Sequence, residues 1–468
     1  MANILVAGAG HGGLTAAGLL AAAGHTVTVL ERNREEDAGH DWTDVFNPDC
    51  LAEAGIPMMP KGSLEPACNL TTFGPAKEKG VSSYIPPEEC TEFSGDRKVL
   101  LRLLIAFARE KGARLRFGVE VLRPLTEGNR VTGLGLRDAG GDYTMRGDLV
   151  IDAAGIDSPV RTQLPKGCGI LREFAEREYF NVFRAFYAKS GMEPLTEHPY
   201  SVYLYPTPDP SICWVVRGSD YVDMLYGRFA ENSAEAGEDL RKLMSRLHPE
   251  LGRKIVRGGQ LRRIPVRRPI PMMVADGYAA IGDSAAMTVP VIGSGITNSI
   301  RAGRFLADTV LERKGFGVAE LWPYQARYMR EIGAVHASLD IFKEFLLGTE
   351  PSNLDFLIEM GVMNSRALIV TRTGQEIKFT PGELVSGGIQ GVSRPELLAH
   401  LAGTLRTSRS IKRHCLRIPR EYDKDAVAAW AEKYVAFTEL PDSAYSAAVP
   451  EETTEPGFRM APWAGTFN

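Results

Sequence analysis

The chain has 468 residues, of which 44% are hydrophobic and 24% are charged, and this composition is typical of a globular protein with two or three domains. The formal net charge of −4 argues against a nucleic-acid-binding protein. The sequence contains no run of about 18 apolar residues and no signal peptide, so we expect a cytoplasmic protein without a transmembrane helix.

Residues 3–32 carry the strongest pattern in the chain: a strand, a glycine-rich turn, a helix of small residues and a second strand. The turn reads GAGHGG, and its glycines are Gly8, Gly10, Gly12 and Gly13. Gly8 permits a tight turn, Gly10 lets the backbone approach a pyrophosphate, and Gly13 allows the helix to pack closely on the strand. Glu31, at the end of the second strand, can accept hydrogen bonds from an adenosine ribose. These features predict a βαβ unit that binds a dinucleotide, either FAD or NAD, at the helix N-terminus.

Residues 33–95 show little periodicity, and a loop of this length is usually functional or mobile. Asp41, Trp42 and Asp44 allow two interpretations. They could form part of an active-site wall, or they could belong to a surface loop held in place by a buried Trp42. An amphipathic helix with Asp96 as its N-cap is then predicted over residues 96–112.

Short strands are predicted for residues 114–122, 130–137 and 143–151. Aromatic-rich strands follow between residues 179 and 229, then a helix near 238–247 and a basic strand at 260–268. The predicted fold is therefore α/β, with a Rossmann-like nucleotide-binding domain, an inserted mixed β-sheet and a mostly helical C-terminal region. The predicted boundaries are 1–175 and 271–315 for the nucleotide-binding domain, 176–270 for the inserted sheet, 316–440 for the helical region and 441–468 for an extended tail.

Three motifs stand in a characteristic order: GAGHGG, AAGIDSPVR at residues 153–161, and GYAAIGDSAAMTVPVIGSGI at residues 277–296. In this order they resemble the glutathione-reductase-type FAD fold, and within it the branch that holds aromatic hydroxylases and geranylgeranyl reductases. The resemblance implies that FAD is the cofactor and that residues 176–270 bind the substrate.

The resemblance also implies how FAD is held. Arg97 would reach the FAD pyrophosphate, Asp283 would bind the ribityl and ribose side, and the backbone of residues 293–296 would lie against the isoalloxazine ring. The cofactor-binding residues expected in this way are Gly8, Gly10, Gly12, Gly13, Glu31, Arg32, Arg97, Val121, Ala154, Gly155, Asp283, Pro290, Gly293, Gly295 and Ile296.

Two departures from family patterns bear on the reaction. Aromatic hydroxylases carry Asp-Gly in the middle motif, where this chain has Ala154-Gly155, closer to the reductases. Geranylgeranyl reductases carry Tyr-x-Trp-x-Phe-Pro, for which Tyr203-x-Tyr205-Pro206 is a partial match. The first hypothesis is therefore a flavin-dependent C=C reductase for a small or isoprenoid-like substrate, with Tyr203, Tyr205 and Cys213 as candidate proton donors. A hydroxylase that uses NAD(P)H and O₂, and a non-redox flavoprotein, are the alternatives.

The sequence contains a single dinucleotide fingerprint, so no separate NAD(P)H-binding domain is visible. This leaves two possible electron donors. Either NAD(P)H binds transiently near the flavin, or a partner such as ferredoxin supplies the electrons. The basic segment at residues 397–420 could rest on an anionic membrane surface or a lipid substrate, or could be a solvated face. Six scattered cysteines and eight dispersed histidines show no metal-ligand spacing, so no metal site is predicted.

Overall fold

The computed structural model describes residues 1–77, 80–361, 363 and 394–437. In chain order the strands are β1 (Asn3–Ala7), β2 (Thr26–Glu31), β3 (Thr43–Phe46), β4 (Leu64–Pro66), β5 (Asn69–Phe73), β6 (Gly80–Tyr84), β7 (Phe93–Asp96), β8 (Arg114–Phe117), β9 (Glu120–Glu127), β10 (Arg130–Asp138), β11 (Gly141–Arg146), β12 (Leu149–Asp152), β13 (Tyr179–Lys189), β14 (Tyr200–Leu204), β15 (Ser211–Arg217), β16 (Tyr221–Arg228), β17 (Leu251–Pro265), β18 (Val274–Ala275) and β19 (Tyr278–Ala280). The α-helices are α1 (His11–Ala22), α2 (Asp49–Glu53), α3 (Arg97–Glu110), α4 (Ala234–Met244), α5 (Ile296–Arg313), α6 (Val318–Tyr328), α7 (Ala334–Leu347), α8 (Pro351–Glu359), α9 (Pro395–Leu416) and α10 (Lys424–Ala436). Short 3₁₀ turns lie at Pro87–Glu89, Arg161–Gln163, Lys166–Cys168, Glu176–Glu178 and Gly282–Ala285, and a π-helical turn at Met329–Gly333 joins α6 to α7.

A six-stranded sheet with the order β18-β19-β12-β1-β2-β8 forms the centre of the first half of the fold. Its strands pair in parallel from β19 to β8, while β18 pairs antiparallel with β19. β1 is almost wholly buried, as expected of a parallel strand covered on both faces. The covering helix α1 also packs closely against α3, because the side of α1 that faces α3 has a glycine. A Cβ on Gly18 would lie 2.8 Å from a ring carbon of Phe107 on α3. The predicted α/β fold is confirmed.

A seven-stranded sheet with the order β17-β13-β16-β15-β14-β5-β6 stands beside the first. Its central strands match the predicted aromatic-rich strands. However, β5 and β6 come from residues 69–84, so this sheet is not confined to residues 176–270. The expectation of an irregular segment at residues 33–95 is wrong. β3 to β7 and α2 lie there, and their short runs of three to five residues are too brief for a visible period.

Smaller differences from the predicted elements arise at glycine turns. The three strands expected between residues 114 and 151 are five, because the chain turns at Gly118 and again before β12. The predicted helix with an Asp96 cap is confirmed, since the Asp96 carboxylate accepts a hydrogen bond from the Val99 amide at 3.0 Å. The predicted helical region is confirmed over α6 to α10, and the predicted tail at 441–468 lies outside the described residues.

Candidate functional site

One cavity of about 1250 Å³ lies between the two large sheets. On the six-stranded sheet it opens at the carboxyl ends of the strands, because Gly8 follows β1, Glu31 ends β2 and Ala153 follows β12. Ligands of doubly wound α/β sheets bind at this edge. The volume exceeds the range of about 300–1,000 Å³ that is usual for a small-molecule site. The cavity can therefore hold a dinucleotide together with a second molecule.

The glycine turn brings the start of α1 to the cavity. Gly8 has a φ of +86°, and a Cβ there would lie 2.7 Å from the carbonyl oxygen of Ala153. A Cβ on Gly13 would lie 2.5 Å from the Cβ of Ala153. The N-terminus of α1 has no side-chain cap and no acidic residue in its first turn. Its positive dipole end is thus directed at the cavity without a counter-charge from its own side chains.

Glu31 holds the outer side of the same turn. One carboxylate oxygen accepts a hydrogen bond from the Ala9 amide at 3.0 Å, and the other accepts from the Asn33 amide at 3.0 Å. The carboxylate is thereby fixed at the cavity edge, where a ribose hydroxyl can donate to it.

Asp152 ties the second and third motifs together below the cavity. Its buried carboxylate accepts hydrogen bonds from the hydroxyls of Ser158 at 2.6 Å, Tyr278 at 2.9 Å and Ser284 at 3.0 Å. This network fixes the loop of Ala154 and Gly155 beside the loop of Asp283. Sequence reasoning missed it, although a carboxylate at the end of a buried strand is a signal for such a role.

A second uncapped helix N-terminus enters the cavity at α5. Gly295 is its N-cap residue, and it has neither a side-chain cap nor an acidic residue in the first turn. Asp283 lines the cavity nearby, and burial raises the pKa of its carboxyl, while Arg97 acts in the opposite sense. Gly293 has a φ of +69°, and a Cβ there would lie 3.1 Å from Ile264 of β17.

The structure brings nearly all the predicted cofactor-binding residues to this one cavity. Each of them lines it except Pro290, which is buried outside the lining. They come from the three separate motifs, from Glu31 and Arg32 at the end of β2, and from Arg97 and Val121, which are far apart in the chain.

A chain of charged groups runs from Arg97 into the seven-stranded sheet. Asp44 lies 2.9 Å from Arg97 and 3.2 Å from Arg184, and Arg184 lies 2.5 Å from Asp223. Burial disfavours the charge on Arg184, but Asp223 and Asp44 outweigh this effect and raise its pKa. The guanidinium also lies 5.4 Å from the ring centre of Trp42. Sequence reasoning missed Arg184 and Asp223, although their alternation with buried apolar residues on β13 and β16 was a usable signal.

The sheet wall of the cavity is formed by alternate residues of β13 to β16. They include Val182, Arg184, Val202, Leu204, Ile212, Trp214, Asp223 and Leu225. At one end this wall continues into an apolar arm lined by Leu204, Val291, Ile292, Phe342 and Leu346, where α7 closes over the sheet.

The structure does not bring the expected proton donors into the cavity. Tyr203 and Cys213 lie on the opposite face of the sheet, in a cluster with Leu240 and Met244 of α4. The Tyr203 hydroxyl lies 2.7 Å from Nε2 of His248, and burial raises the pKa of the Cys213 thiol. Side chains alternate between faces along a strand, so these positions are one residue out of step with the cavity wall.

Tyr205 is also outside the lining. It has a φ of +49°, and its hydroxyl donates to the Leu347 carbonyl at 3.3 Å. Burial raises its pKa to about 12. The expectation that these three residues face the substrate is corrected accordingly.

The model of the family described as the FAD binding domain matches residues 1–312 of this chain. The chain belongs to this FAD-binding family. FAD is therefore its cofactor, and the predicted family resemblance is confirmed. The cavity fits this flavoprotein cofactor, because two helix N-termini without acidic side chains and Arg97 offer donors to phosphate and to a flavin ring.

Proteins similar to this flavoprotein include a reductase, a reductase-like protein and an oxygenase. The digeranylgeranylglycerophospholipid reductase of Sulfolobus acidocaldarius is 24% identical over 324 residues, which cover 67% of this chain and 71% of that protein. A geranylgeranyl bacteriochlorophyll reductase-like protein from Thermoplasma acidophilum has a TM-score of 0.66 at 18% identity and covers 86% of this chain and 99% of its own. The 2-methyl-3-hydroxypyridine-5-carboxylic acid oxygenase has a TM-score of 0.54 at 16% identity, covering 82% of this chain and 95% of its own. The two structural likenesses show the fold.

Of the described residues, no helix is both long and apolar enough to cross a membrane. Within that same part of the chain, no group of three or more His, Cys, Asp or Glu side chains is arranged to hold a metal ion.

Proposed function

We propose that this flavoprotein is a reductase that delivers a hydride from reduced flavin to a C=C bond of an apolar, isoprenoid-like substrate. The observation that carries the proposal is the apolar arm of the cavity, lined by Leu204, Val291, Ile292, Phe342 and Leu346. A hydrocarbon chain placed there loses contact with water, at roughly 25 cal/mol for each Å² of apolar surface. The names of the reductase relatives support the same substrate class.

The predicted cofactor residues divide the work of holding FAD. The N-terminus of α1 and Arg97 would bind the diphosphate, Glu31 the adenosine ribose, and Asp283 the ribityl chain. The backbone of residues 293–296 and the N-terminus of α5 would lie at the flavin ring, where the helix dipole stabilises negative charge. FAD supplies the hydride chemistry when it is bound.

The sheet wall positions the substrate on the other side of the cavity. Val182 of β13 and Ile212 of β15 lie on either side of Gly227 of β16, and Leu204 of β14 pairs with Ile212. This apolar row leads into the apolar arm. Reduction of a C=C bond also needs a proton at the adjacent carbon. Tyr200 and Tyr221 line the wall, and burial raises the pKa of Tyr221, which keeps its hydroxyl protonated at neutral pH. We propose these two tyrosines in place of Tyr203, Tyr205 and Cys213.

The test is anaerobic. The holoprotein is reduced with one equivalent of dithionite and mixed with a geranylgeranyl lipid, and flavin absorbance is followed while the product is analysed by mass spectrometry. We expect reoxidation of the flavin and a product heavier by two hydrogens. Leu346→Arg places a charge in the apolar arm and should slow this reoxidation at least tenfold, whereas Leu247→Arg, behind the sheet, should not. Flavin that stays reduced with every isoprenoid offered contradicts the proposal.

A flavin monooxygenase is the second candidate, because Tyr200, Trp214 and Tyr221 give the wall an aromatic surface and an oxygenase shares the fold. This candidate predicts O₂ consumption coupled to NAD(P)H oxidation and stimulated by an aromatic compound. The reductase predicts slow reoxidation in air that no aromatic compound accelerates. A stopped-flow comparison with and without O₂ separates the two. For the reductase, the proposed donor is NAD(P)H or a ferredoxin-like protein.

We also propose peripheral contact with an anionic membrane. Exposed arginines recur along α9 at helical spacing, and two more follow in the turn after it: Arg406, Arg409 and Arg413, then Arg417 and Arg420. Among the described residues none of them has a carboxylate within ion-pair distance. Each such residue contributes about 1 kcal/mol near an anionic surface. Sedimentation with phosphatidylserine vesicles, but not with phosphatidylcholine vesicles, is the expected result.

A further inference from the structure

Three arginines from separate parts of the chain line the cavity around the glycine turn. Arg97 begins α3, Arg32 follows β2, and Arg262 lies on β17 opposite Val182. Arg97 has Asp44 as a partner at 2.9 Å. In the described part of the chain, Arg32 and Arg262 have no carboxylate within ion-pair distance. Two of these three guanidinium groups therefore have no acidic partner within the described residues.

Arg262 is held in place by a neutral histidine. Its Nε donates to Nδ1 of His40 at 2.9 Å, and its Nη1 donates to the Leu261 carbonyl at 2.7 Å. To accept this bond, His40 must carry no proton on Nδ1. Burial and Arg97 lower the pKa of His40 well below its ordinary value, and its ring packs 4.9 Å from Trp42. The guanidinium is thus oriented, while Nη2 has no hydrogen-bond partner among the described residues.

Two further observations point to an anion between Arg262 and α1. Burial lowers the pKa of Arg262, and the proximity of Arg32 and Arg97 lowers it further, so the cation gains from a counter-charge. Nε2 of His11, the first residue of α1, is buried without a hydrogen-bond partner. A phosphate at the helix N-terminus would satisfy the helix amides and lie among these cations.

We infer that Arg262 is a further FAD-binding residue, which reaches the FAD diphosphate from the seven-stranded sheet, and that His40 is its positioning residue. The diphosphate presents two charges, and the guanidinium groups of Arg97 on α3 and Arg262 on β17 can each bind one of them. The inference does not depend on the proposed reduction. It makes the inserted sheet part of the cofactor site, since β17 is an edge strand of that sheet.

The experiment measures FAD affinity on apoprotein by quenching of flavin fluorescence. We expect Arg262→Ala to raise the Kd for FAD at least tenfold, Arg262→Lys to raise it less, and His40→Phe to raise it several-fold. Arg253→Ala is the matched control, because Arg253 lies exposed on the same strand and outside the cavity, and it should change the Kd less than twofold. Circular dichroism tests whether each variant is folded. If Arg262→Ala does not fold, Arg262→Gln replaces it in the measurement.

A competition experiment identifies the group that Arg262 contacts. ADP carries the diphosphate and adenosine does not. When the competition is corrected for the Kd of FAD in each variant, Arg262→Ala should therefore raise the dissociation constant of ADP and leave that of adenosine unchanged. An unchanged Kd for FAD overturns the inference. An unchanged Kd for FAD together with a raised KM for NADPH or for a diphosphate-bearing substrate assigns Arg262 to a second anion instead. If the reductase assay fails but Arg262→Ala still raises the Kd for FAD, only the proposed function is contradicted.

Discussion

The two walls of the cavity use different chemistry. The wall on the six-stranded sheet is built from backbone: glycines, two helix N-termini and loops joined by Asp152. The wall on the seven-stranded sheet is built from side chains, with an ion pair at Arg184 and Asp223 and an apolar row beside it. The first wall therefore depends on the space that its residues leave, and the second depends on the identity and the direction of each side chain.

The largest effect is expected on the backbone wall. Gly8→Ala forces a Cβ to within 2.7 Å of the Ala153 carbonyl, so we expect loss of FAD binding together with severe destabilisation. Gly24→Ala is the matched control, because Gly24 has a similar φ of +90° with no atom within 4 Å of the added Cβ. It should cost about 1–2 kcal/mol and keep FAD. The flavin absorbance of the purified proteins measures the FAD that each variant retains. Equal loss of FAD in both variants would show that the positive φ, and not the space for a Cβ, limits substitution at Gly8.

On the side-chain wall, removal of one partner of the buried ion pair should have the next largest effect. Asp223→Asn leaves the charge of Arg184 undercompensated, so we expect the free energy of unfolding to fall by about 3 kcal/mol. The double variant Arg184→Met, Asp223→Leu removes both charges and should recover most of this loss. Urea unfolding measures both. If Asp223→Asn alone lowers the free energy of unfolding by less than about 1 kcal/mol, Asp44 is a sufficient partner for Arg184.

The backbone wall should respond to pH through His336, whose Nε2 lies 3.3 Å from Asn298 in the first turn of α5. Burial lowers its pKa from 6.5 to about 4, so the unfolded chain binds the proton first as the pH falls. We expect the free energy of unfolding to drop by about 2 kcal/mol between pH 7 and pH 5 from this residue.

His336→Leu should flatten that dependence, because it removes the group whose pKa is lowered in the folded protein. Urea titrations at the two pH values measure it. Equal pH dependence in the wild type and in His336→Leu would contradict the prediction.

The smallest effect is expected behind the sheet. Tyr203→Phe removes the hydroxyl that lies 2.7 Å from Nε2 of His248, which should cost about 1–2 kcal/mol of stability without changing the turnover rate. Trp214→Phe, on the cavity face of the neighbouring strand, should instead raise the KM of the substrate several-fold. A loss of turnover in Tyr203→Phe would return Tyr203 to the reaction.

The backbone wall could be predicted from the sequence, because Gly8, Gly13 and Gly295 are tied to local conformation and close packing that few other residues permit. The side-chain wall could not. Tyr203 and Trp214 are both aromatic residues in strands, and only the register of the sheet decides which of them faces the cavity. Arg262 was missed for a related reason, since its partner His40 is more than two hundred residues away in the chain.

The seven-stranded sheet has a consequence for synthesis of the chain. Residues 69–84 emerge from the ribosome long before β14 (residues 200–204), against which β5 is paired. At synthesis rates of about 5–20 residues per second, β5 of the β5–β6 hairpin has no β14 partner for several seconds or more. During that interval the nascent chain exposes a template for intermolecular pairing. We therefore expect trigger-factor-like or Hsp70-like chaperones to associate with the first half of the chain, and slower translation before residue 200 to lower the yield of native protein.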